Sequence, residues 1–371
     1  MKKALLVTGI FPPDIGGPAT YIPSFGQFLA KKNYRIEVVT LSEEPYESDS
    51  KYPFEITRLP RAQNRFFRSL KTILTIANRL RESDFLFCNG LYYESAIAIR
   101  LISFRGPTLV KIVGDPVWER QRNRESVLNK RKSFFIDEIS ELAQFVERKL
   151  ISWSLKQFDN VTAPGIELAS EVNRWDTKLR VKVIENGVSI SDEKSNHKKI
   201  YDLVVLSRLV PWKNIDKAIN LATNLDCSLA IIGDGPQRKT LEKQAQGNSR
   251  IHFLGVCSQE NVKKILMQSK IFCQLSDYEG MSFSLLQAMA TSIPCVLSDI
   301  EANRKVFESD PSAAIFAEAR NAIRIIDQVS ELLKDTKKQE EMGLRSKKIV
   351  QSRFNEVIQM EKMMTLLVKN D

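Results

Sequence analysis

At 371 residues, with 43% hydrophobic and 27% charged residues, the chain has the size and composition of a soluble globular enzyme of two domains. The formal net charge of +10 allows an acidic partner, such as nucleic acid, an anionic membrane or a phosphorylated substrate, without choosing among them. Five dispersed cysteines and two histidines give poor support to a zinc site or a hydrolase with a histidine base, and they favour a reducing compartment.

The first element along the chain is an apolar run, Ala4 to Phe11, that follows two lysines as in a signal peptide. The run is short, lacks a small-residue cleavage site and is broken by Pro12-Pro13-Asp14, so it predicts a buried strand. No stretch approaches the ~18 apolar residues that cross a bilayer. We therefore expect a cytoplasmic protein, either soluble or peripheral on the inner face of a membrane.

The first half of the chain alternates short apolar runs with helical patterns, which indicates βαβ units and a parallel sheet covered on both faces. The predicted strands are Ala4–Thr8, Ile36–Leu41, Phe85–Cys88, Thr108–Val113, Asn160–Ala163 and Val181–Ile184. The predicted helices are Tyr21–Lys31, Arg65–Arg81 and Glu141–Phe158.

A polar stretch around Ile190–Lys199 predicts a linker, after which the alternation begins again. The strands predicted there are Leu203–Leu206, Leu229–Ile232, His252–Leu254, Ile271–Leu275, Cys295–Leu297 and Ala313–Phe316. Two such halves usually bind ligands in a cleft between them. We divide the chain into a first domain at residues 1–188, a linker at 189–199, a second domain at 200–354 and a C-terminal helix at 355–371.

Two glycines, Gly16 and Gly17, stand between the first predicted strand and its helix. Glycines at this position let backbone N–H groups approach an anion at the positive end of the helix dipole. A plain tight turn explains the same residues equally well, so the sequence leaves both interpretations open.

Two cations, Arg208 and Lys213, follow the strand that opens the second half. At the carboxyl end of a strand they could clamp a diphosphate and stabilise a leaving group, although a solvated basic loop would look the same. Further along comes the turn Gly233-Asp234-Gly235-Pro236, again after a strand. A loop from Glu279 to Ser282 then leads into an apolar helix, with the serine as its N-cap and the glutamate free to reach a sugar hydroxyl.

The order and spacing of these motifs, together with Asn186-Gly187-Val188, resemble glycosyltransferase family 4 over nearly the whole chain. The resemblance implies an α/β, GT-B fold in which two Rossmann-like, doubly wound domains face each other across a cleft, with the C-terminal helix crossing back onto the first. It implies that Arg208 and Lys213 bind the diphosphate and that Glu279 hydrogen-bonds the donor sugar. The other donor-binding positions that it implies are Gly16, Gly17, Gly235, Leu254, Gly280, Met281, Ser282 and Gln287.

Two positions depart from the pattern of the family. The second glutamate of the family, eight residues after Glu279, is here Gln287. Its expected role is to hold the ribose hydroxyls, which an amide can also bind. The histidine that the family often carries after the fourth strand is missing, and Asp115 is the polar group expected nearest the sugar there.

The segment from Arg61 to Arg81 contains six basic residues and no acidic residue. On a helical wheel, one face carries Phe66, Leu70, Ile73, Ala77 and Leu80. The mostly opposite face carries Arg65, Arg68, Lys71 and Arg79. Either this helix packs on the core with a solvated basic face, or the basic face docks onto anionic lipid or a lipid-diphosphate acceptor. A nucleic-acid partner is not expected, because interleaved surface aromatics and a known motif are missing.

We therefore expect a retaining glycosyltransferase that moves a sugar from a nucleotide diphosphate sugar, with UDP favoured over GDP, to an acceptor in bacterial surface polysaccharide or glycolipid synthesis. No carboxylate nucleophile is evident, and the family implies departure of the leaving group and entry of the acceptor on the same face. No metal or other cofactor is required, since two cations and helix N-termini can neutralise the diphosphate. The rivals are a nucleotide-sugar epimerase or phosphorylase of the same fold, and a non-catalytic nucleotide-sugar-binding protein.

Overall fold

The structure, a computed structural model, describes residues 1–14, 16–42, 47–120, 134–190, 197–317 and 322–368. The chain forms two compact units, of which the first comprises Met1–Glu185 with Gln359–Asp371 and the second comprises Asn186–Ile358. The predicted linker falls in the second unit, and its central residues 191–196 lie outside the described part of the chain.

The first unit is built on a seven-stranded parallel sheet with the strand order β3-β2-β1-β4-β5-β6-β7. Its strands are β1 (Lys3–Thr8), β2 (Arg35–Ser42), β3 (Glu55–Pro60), β4 (Phe85–Asn89), β5 (Thr108–Lys111), β6 (Asn160–Ala163) and β7 (Val181–Val183). Its helices before the second unit are α1 (Gly17–Lys31), α2 (Arg65–Leu80), α3 (Tyr92–Leu101), α4 (Phe134–Leu155) and α5 (Ile166–Trp175).

The second unit has a six-stranded parallel sheet with the strand order β10-β9-β8-β11-β12-β13. Its strands are β8 (Tyr201–Leu206), β9 (Leu229–Ile232), β10 (Ile251–Gly255), β11 (Ser269–Gln274), β12 (Cys295–Ser298) and β13 (Ala314–Ala317). Its helices are α6 (Ile215–Asn224), α7 (Arg238–Gln244), α8 (Gln259–Met267), α9 (Phe283–Ala290), α10 (Glu301–Val306), α11 (Ala322–Lys334) and α12 (Thr336–Arg353). Two parallel sheets with helices on their faces confirm the predicted α/β, doubly wound fold class.

The last helix, α13 (Glu356–Leu367), carries the chain back to the first unit. The Asn160 side-chain amide donates to the Leu366 carbonyl at 2.9 Å, and Lys32 forms an ion pair of 2.7 Å with Glu361. Helices α1 and α13 therefore cover one face of the first sheet. The apolar core on the opposite face is formed with side chains of α2, α3, α4 and α5.

Strand β3 was not predicted, because its sequence carries charged side chains where a buried strand would be apolar. It lies at the edge of the sheet and pairs only with β2 among the described strands. Of its six residues only Leu59 is buried, while Glu55 is exposed and Arg58 forms an ion pair of 2.8 Å with Asp49. An edge strand of this kind has no apolar run to recognise.

The packed face predicted for α2 is confirmed at Ile73, Ala77 and Leu80 and wrong at its first two positions. Phe66 is 71% exposed and Leu70 is 44% exposed, although both were expected on the packed face. The buried side chains of α2 are Thr72, Ile76, Ala77 and Leu80. A threonine can occupy this face because its hydroxyl donates to the Arg68 carbonyl at 2.8 Å, so its polar group is satisfied inside the helix.

The basic face predicted for α2 is also smaller than expected. The Arg68 guanidinium donates to the Arg61 carbonyl at 2.9 Å, and Arg79 lies 3.6 Å from the Glu37 carboxylate. Both arginines are half-buried, whereas Arg65 and Lys71 are exposed. Within the described residues, every helix falls short of the length and apolar character that a membrane crossing requires.

Candidate functional site

The first cation of the predicted clamp stands in a rigid loop at the carboxyl end of β8. The Leu209 amide donates to the Asp234 carbonyl at 2.9 Å, and Leu209 and Val210 are buried. A single 3₁₀ turn, Pro211–Lys213, follows. These residues before the turn and the buried Ile215 after it fix the path of the loop. The Arg208 guanidinium lies 5.9 Å from the centre of the Trp212 ring, which holds the cation against an aromatic surface.

The second cation, Lys213, forms an ion pair with Glu279, in which Nζ lies 2.6 Å from Oε1. The lysine side chain is 16% exposed and the glutamate side chain 8% exposed, so the pair is largely shielded from water. The structure thus brings together the residue predicted to bind the diphosphate and the residue predicted to bind the sugar. Shielding strengthens the attraction between the two charges and limits their freedom to move.

The loop that carries Lys213 is tied to the loop after β11 by Asn214, a residue to which the sequence assigned no role. Asn214 adopts the left-handed conformation, with φ of 49°. Its side-chain amide donates to the Leu275 carbonyl at 2.8 Å and to Asp277 Oδ1 at 2.6 Å. An asparagine just before a helix, in a conformation that it tolerates better than most residues, is the signal that could have revealed it.

Glycines let two neighbouring loops of the second sheet touch. A Cβ atom on Gly233, whose φ is 129°, would lie 1.9 Å from the Ser207 carbonyl oxygen. A Cβ atom on Gly235 would lie 2.5 Å from the Leu209 carbonyl oxygen. The Gly235 amide donates to Asp234 Oδ1 at 2.7 Å in this structure. These glycines therefore keep the loop of Arg208 in place whatever contact Gly235 makes with a donor.

The loop containing Gly280 and Met281 is held from both sides. The Asn186 side-chain amide donates to the Met281 carbonyl at 3.0 Å. Ser282 is the N-cap of α9, as the sequence predicted, because its Oγ accepts from the Leu285 amide at 3.2 Å. The same hydroxyl donates to Gln274 Oε1 at 2.6 Å. The residues after Glu279 thus form a fixed support rather than a free loop.

The two remaining positions predicted in the second unit lie on separate elements. Gln287 lies on α9, is half-buried and donates through Nε2 to Gln259 Oε1 at 2.7 Å. Leu254 lies on β10, is half-buried and packs against the second unit's core. Their assigned contacts with ribose and base stay predictions.

In the first unit, Gly16 and Gly17 open α1. Gly16 is the N-cap with φ of 150°, and a Cβ atom there would lie 2.7 Å from Ile10 Cδ1. No side chain in the described part of the chain caps this helix end. The positive end of the helix dipole is therefore not neutralised by a capping side chain at this glycine pair.

Asp115 caps a helical segment that spans residues 116–120. Its Oδ1 accepts from the Val117 amide at 2.9 Å and from the Trp118 amide at 3.1 Å. Its Oδ2 lies 3.7 Å from the Arg148 guanidinium, and the residue is buried. The structure gives Asp115 a structural role, and its predicted contact with the sugar stays a prediction. An aspartate followed by a proline at a helix start is a signal for this role.

Comparisons with known proteins bear on the family and the fold. A family model described as "Glycosyl transferases group 1" matches residues 189–349. N-acetyl-alpha-D-glucosaminyl L-malate synthase of Bacillus anthracis is 27% identical over 224 residues, which are 55% of this chain and 58% of that protein. The GDP-mannose-dependent monoacylated alpha-(1-6)-phosphatidylinositol monomannoside mannosyltransferase of Corynebacterium glutamicum is 22% identical over 99% of this chain and 98% of its own length.

Among solved structures, S. aureus TarM in complex with fondaparinux, alpha-GlcNAc-glycerol and UDP has a TM-score of 0.75 at 12% identity. That match covers 100% of both chains, which supports the fold and not the substrate. Together with the two parallel doubly wound sheets, these likenesses confirm the family that the sequence motifs indicated. The chain has the fold of the GT-B glycosyltransferases, and its residues 189–349 belong to the glycosyl transferases group 1 family.

Proposed function

We propose that this protein transfers a sugar from a UDP-sugar to an acceptor hydroxyl with retention of the anomeric configuration. The observation that carries the proposal is the shielded pair of Lys213 and Glu279 beside the loop of Arg208. UDP is the nucleotide in the TarM complex, whereas the Corynebacterium relative is named for GDP-mannose. UDP is the donor nucleotide that we favour.

In this proposal the two cations bind the diphosphate and neutralise the charge that develops as it leaves. An ammonium group has three N–H donors, so Lys213 can keep its bond to Glu279 and still donate to a phosphate oxygen. Arg208 offers a planar fork that matches two phosphate oxygens. Charge stabilisation in a shielded site is worth more than in water, because water does not have to reorganise during the reaction.

The sugar is oriented by Glu279, whose carboxylate accepts hydrogen bonds from sugar hydroxyls. As the bond between the anomeric carbon and the diphosphate oxygen breaks, the acceptor oxygen forms its bond on the same face. The acceptor proton passes to the departing phosphate oxygen, so no enzyme carboxylate has to attack. We further propose that Gly16 and Gly17 contact the donor phosphates and that the reaction needs no metal ion.

The acceptor is proposed to be a hydroxyl compound of bacterial surface polysaccharide or glycolipid synthesis. The names of the two relatives give L-malate for one and a monoacylated phosphatidylinositol mannoside for the other. These two compounds share little beyond a hydroxyl group. The similarity to the two relatives therefore supports transfer from a nucleotide sugar more strongly than it supports any one acceptor.

The test is UDP binding by calorimetry in variants of the clamp. Arg208→Ala and Lys213→Ala should each weaken UDP binding by roughly tenfold or more, since a charge-assisted hydrogen bond is worth about 1.5–3 kcal/mol. Lys217→Ala is the matched control, because this lysine lies one helical turn further on and is 47% exposed. Clamp variants that bind UDP like the parent chain would show that the diphosphate lies elsewhere.

Turnover separates the proposed reaction from its rivals. A transferase releases UDP in proportion to acceptor, whereas an epimerase releases UDP from the donor alone and a binding protein releases none. NMR of the anomeric proton in the product then tests retention, and an inverted product would contradict the same-face mechanism.

A further inference from the structure

Three helices of the first unit expose apolar side chains instead of burying them. On α2 the exposed apolar residues are Phe66, Phe67, Leu70 and Leu74. On α3 they are Ile97 and Leu101. On α4 they are Leu142, Phe145, Val146, Leu150 and Trp153. We call this set the apolar helix face.

The apolar helix face is carried by three neighbouring helices. Helix α3 packs between α2 and α4, and all three contribute to the core on the same side of the first sheet. Along α4 the exposed apolar residues recur at the spacing of a helix stripe, while Ile151 and Leu155 on the other side are fully buried. The helices therefore have two apolar sides, one against the sheet and one towards solvent.

The exposed charges described on these helices have one sign. Among the described side chains of α2, α3 and α4, the exposed charged residues are Arg65, Lys71, Arg100 and Lys149, all of them basic. The two acidic side chains described on these helices are less accessible: Glu94 accepts from the Ser69 hydroxyl at 2.8 Å, and Glu147 pairs with Arg120. An apolar surface whose described exposed charges are all cations is complementary to an apolar layer beneath a negatively charged one.

We propose that the apolar helix face inserts into the boundary between the headgroups and acyl chains of an anionic phospholipid bilayer. Its side chains include one tryptophan and three phenylalanines, which are typical of the apolar face of interfacial helices, and basic side chains beside them can reach the phosphates. Helix α2 begins after β3, at the carboxyl edge of the sheet where Gly17 opens α1 after β1. A membrane-borne acceptor would reach the first unit near this edge.

This inference differs from docking by basic residues alone, because apolar insertion resists salt. We would sediment the full chain with vesicles of phosphatidylcholine containing phosphatidylglycerol, at low and high salt. The protein should bind the anionic vesicles, and salt should weaken binding without abolishing it. The double variant Phe67→Ser, Phe145→Ser changes two side chains that are 65% and 58% exposed, so its fold should be intact. It should lose about tenfold or more in partitioning at either salt concentration.

The double variant Lys71→Gln, Lys149→Gln should lose binding mainly at low salt, because screening already weakens these charges at high salt. Leu344→Ser removes a comparably exposed leucine from the second unit and should sediment like the parent chain. UDP binding, measured on each variant by calorimetry, should not change, which separates this inference from the proposed function. A parent chain that stays in the supernatant, or serine variants that sediment like it, would overturn the proposal. So would a parent dimer that becomes monomeric in the serine variant, since a second copy would then cover the face.

Discussion

Lys111 provides a quantitative test of how the first unit is stabilised. It ends β5, is completely buried, and its ammonium group has no hydrogen-bond partner among the described residues. The centre of the Tyr21 ring lies 4.0 Å from Nζ. Burial without an ionic partner disfavours the charged form and lowers the pKa of Lys111 from 10.5 to about 7.

The linkage between proton binding and folding gives the sign and size of the effect of Lys111 on the free energy of unfolding. Between about pH 7 and pH 10 the unfolded chain carries a proton on this lysine that the folded chain does not carry. The free energy of unfolding should therefore rise with pH, by about 1.4 kcal/mol per pH unit from this group. Lys111→Met removes the free-energy cost of burying this amine. The variant should therefore be more stable than the parent chain by roughly 4 kcal/mol near pH 7. The advantage should shrink by roughly 2 kcal/mol on going to about pH 9.

The assay is chemical denaturation at both pH values, followed by tryptophan fluorescence. Trp118, Trp153 and Trp175 all lie in the first unit, so the signal reports mainly on the unit that contains Lys111. Lys182→Met is the control, because this lysine is exposed on β7 of the same sheet. A Lys111→Met variant that is less stable at neutral pH, or whose stability difference does not vary with pH, would refute the reasoning.

Three further predictions concern the candidate site. Glu279→Ala should leave UDP affinity nearly unchanged but reduce affinity for the UDP-sugar and turnover, and equal losses for both ligands in calorimetry would assign Glu279 to the nucleotide. Gln287→Ala should cost about 1 kcal/mol of donor binding, whereas Gln287→Glu should keep or improve it. A glutamate variant that binds no donor would show that this position does not face ribose. Asp115→Ala should destabilise the first unit by about 1 kcal/mol and Asp115→Asn should recover most of that loss, since asparagine also caps helices. Equal thermal midpoints for the two variants would refute the capping role.

The sequence predicts the sheets well because strands of a covered parallel sheet are apolar along their whole length. It misses β3 because an edge strand with Glu55 and Arg58 has no such run. It wrongly places Phe66 and Leu70 on the packed face of α2 because a helical wheel counts Thr72 as polar, whereas the folded helix satisfies that hydroxyl internally. Each error arises at a polar side chain that has a hydrogen-bond or ionic partner in the folded chain. Hydrophobic periodicity does not detect such partners.

For the site, the sequence identifies residues but not their partners. Lys213 and Glu279 are 66 positions apart, and only the pairing of β8 with β11 brings their loops together. The same holds for Asn186 and the Met281 carbonyl, which are 95 positions apart. Local signals are the exception: Ser282 was recognisable as an N-cap from its neighbours alone.

The chain enters and leaves the second unit at two neighbouring points. The Val188 amide donates to the Phe354 carbonyl at 2.9 Å, and the Glu356 amide donates to the Val188 carbonyl at 3.3 Å. Gly187 allows this closeness, since a Cβ atom there would lie 2.6 Å from Glu356 Cα. The second unit is inserted between two segments of the first unit, and its two ends are hydrogen-bonded neighbours. Recombination can therefore replace it as one block without changing the strand order of the first sheet. Under the proposed function, such an exchange would change donor preference in a single genetic event and leave the first unit intact.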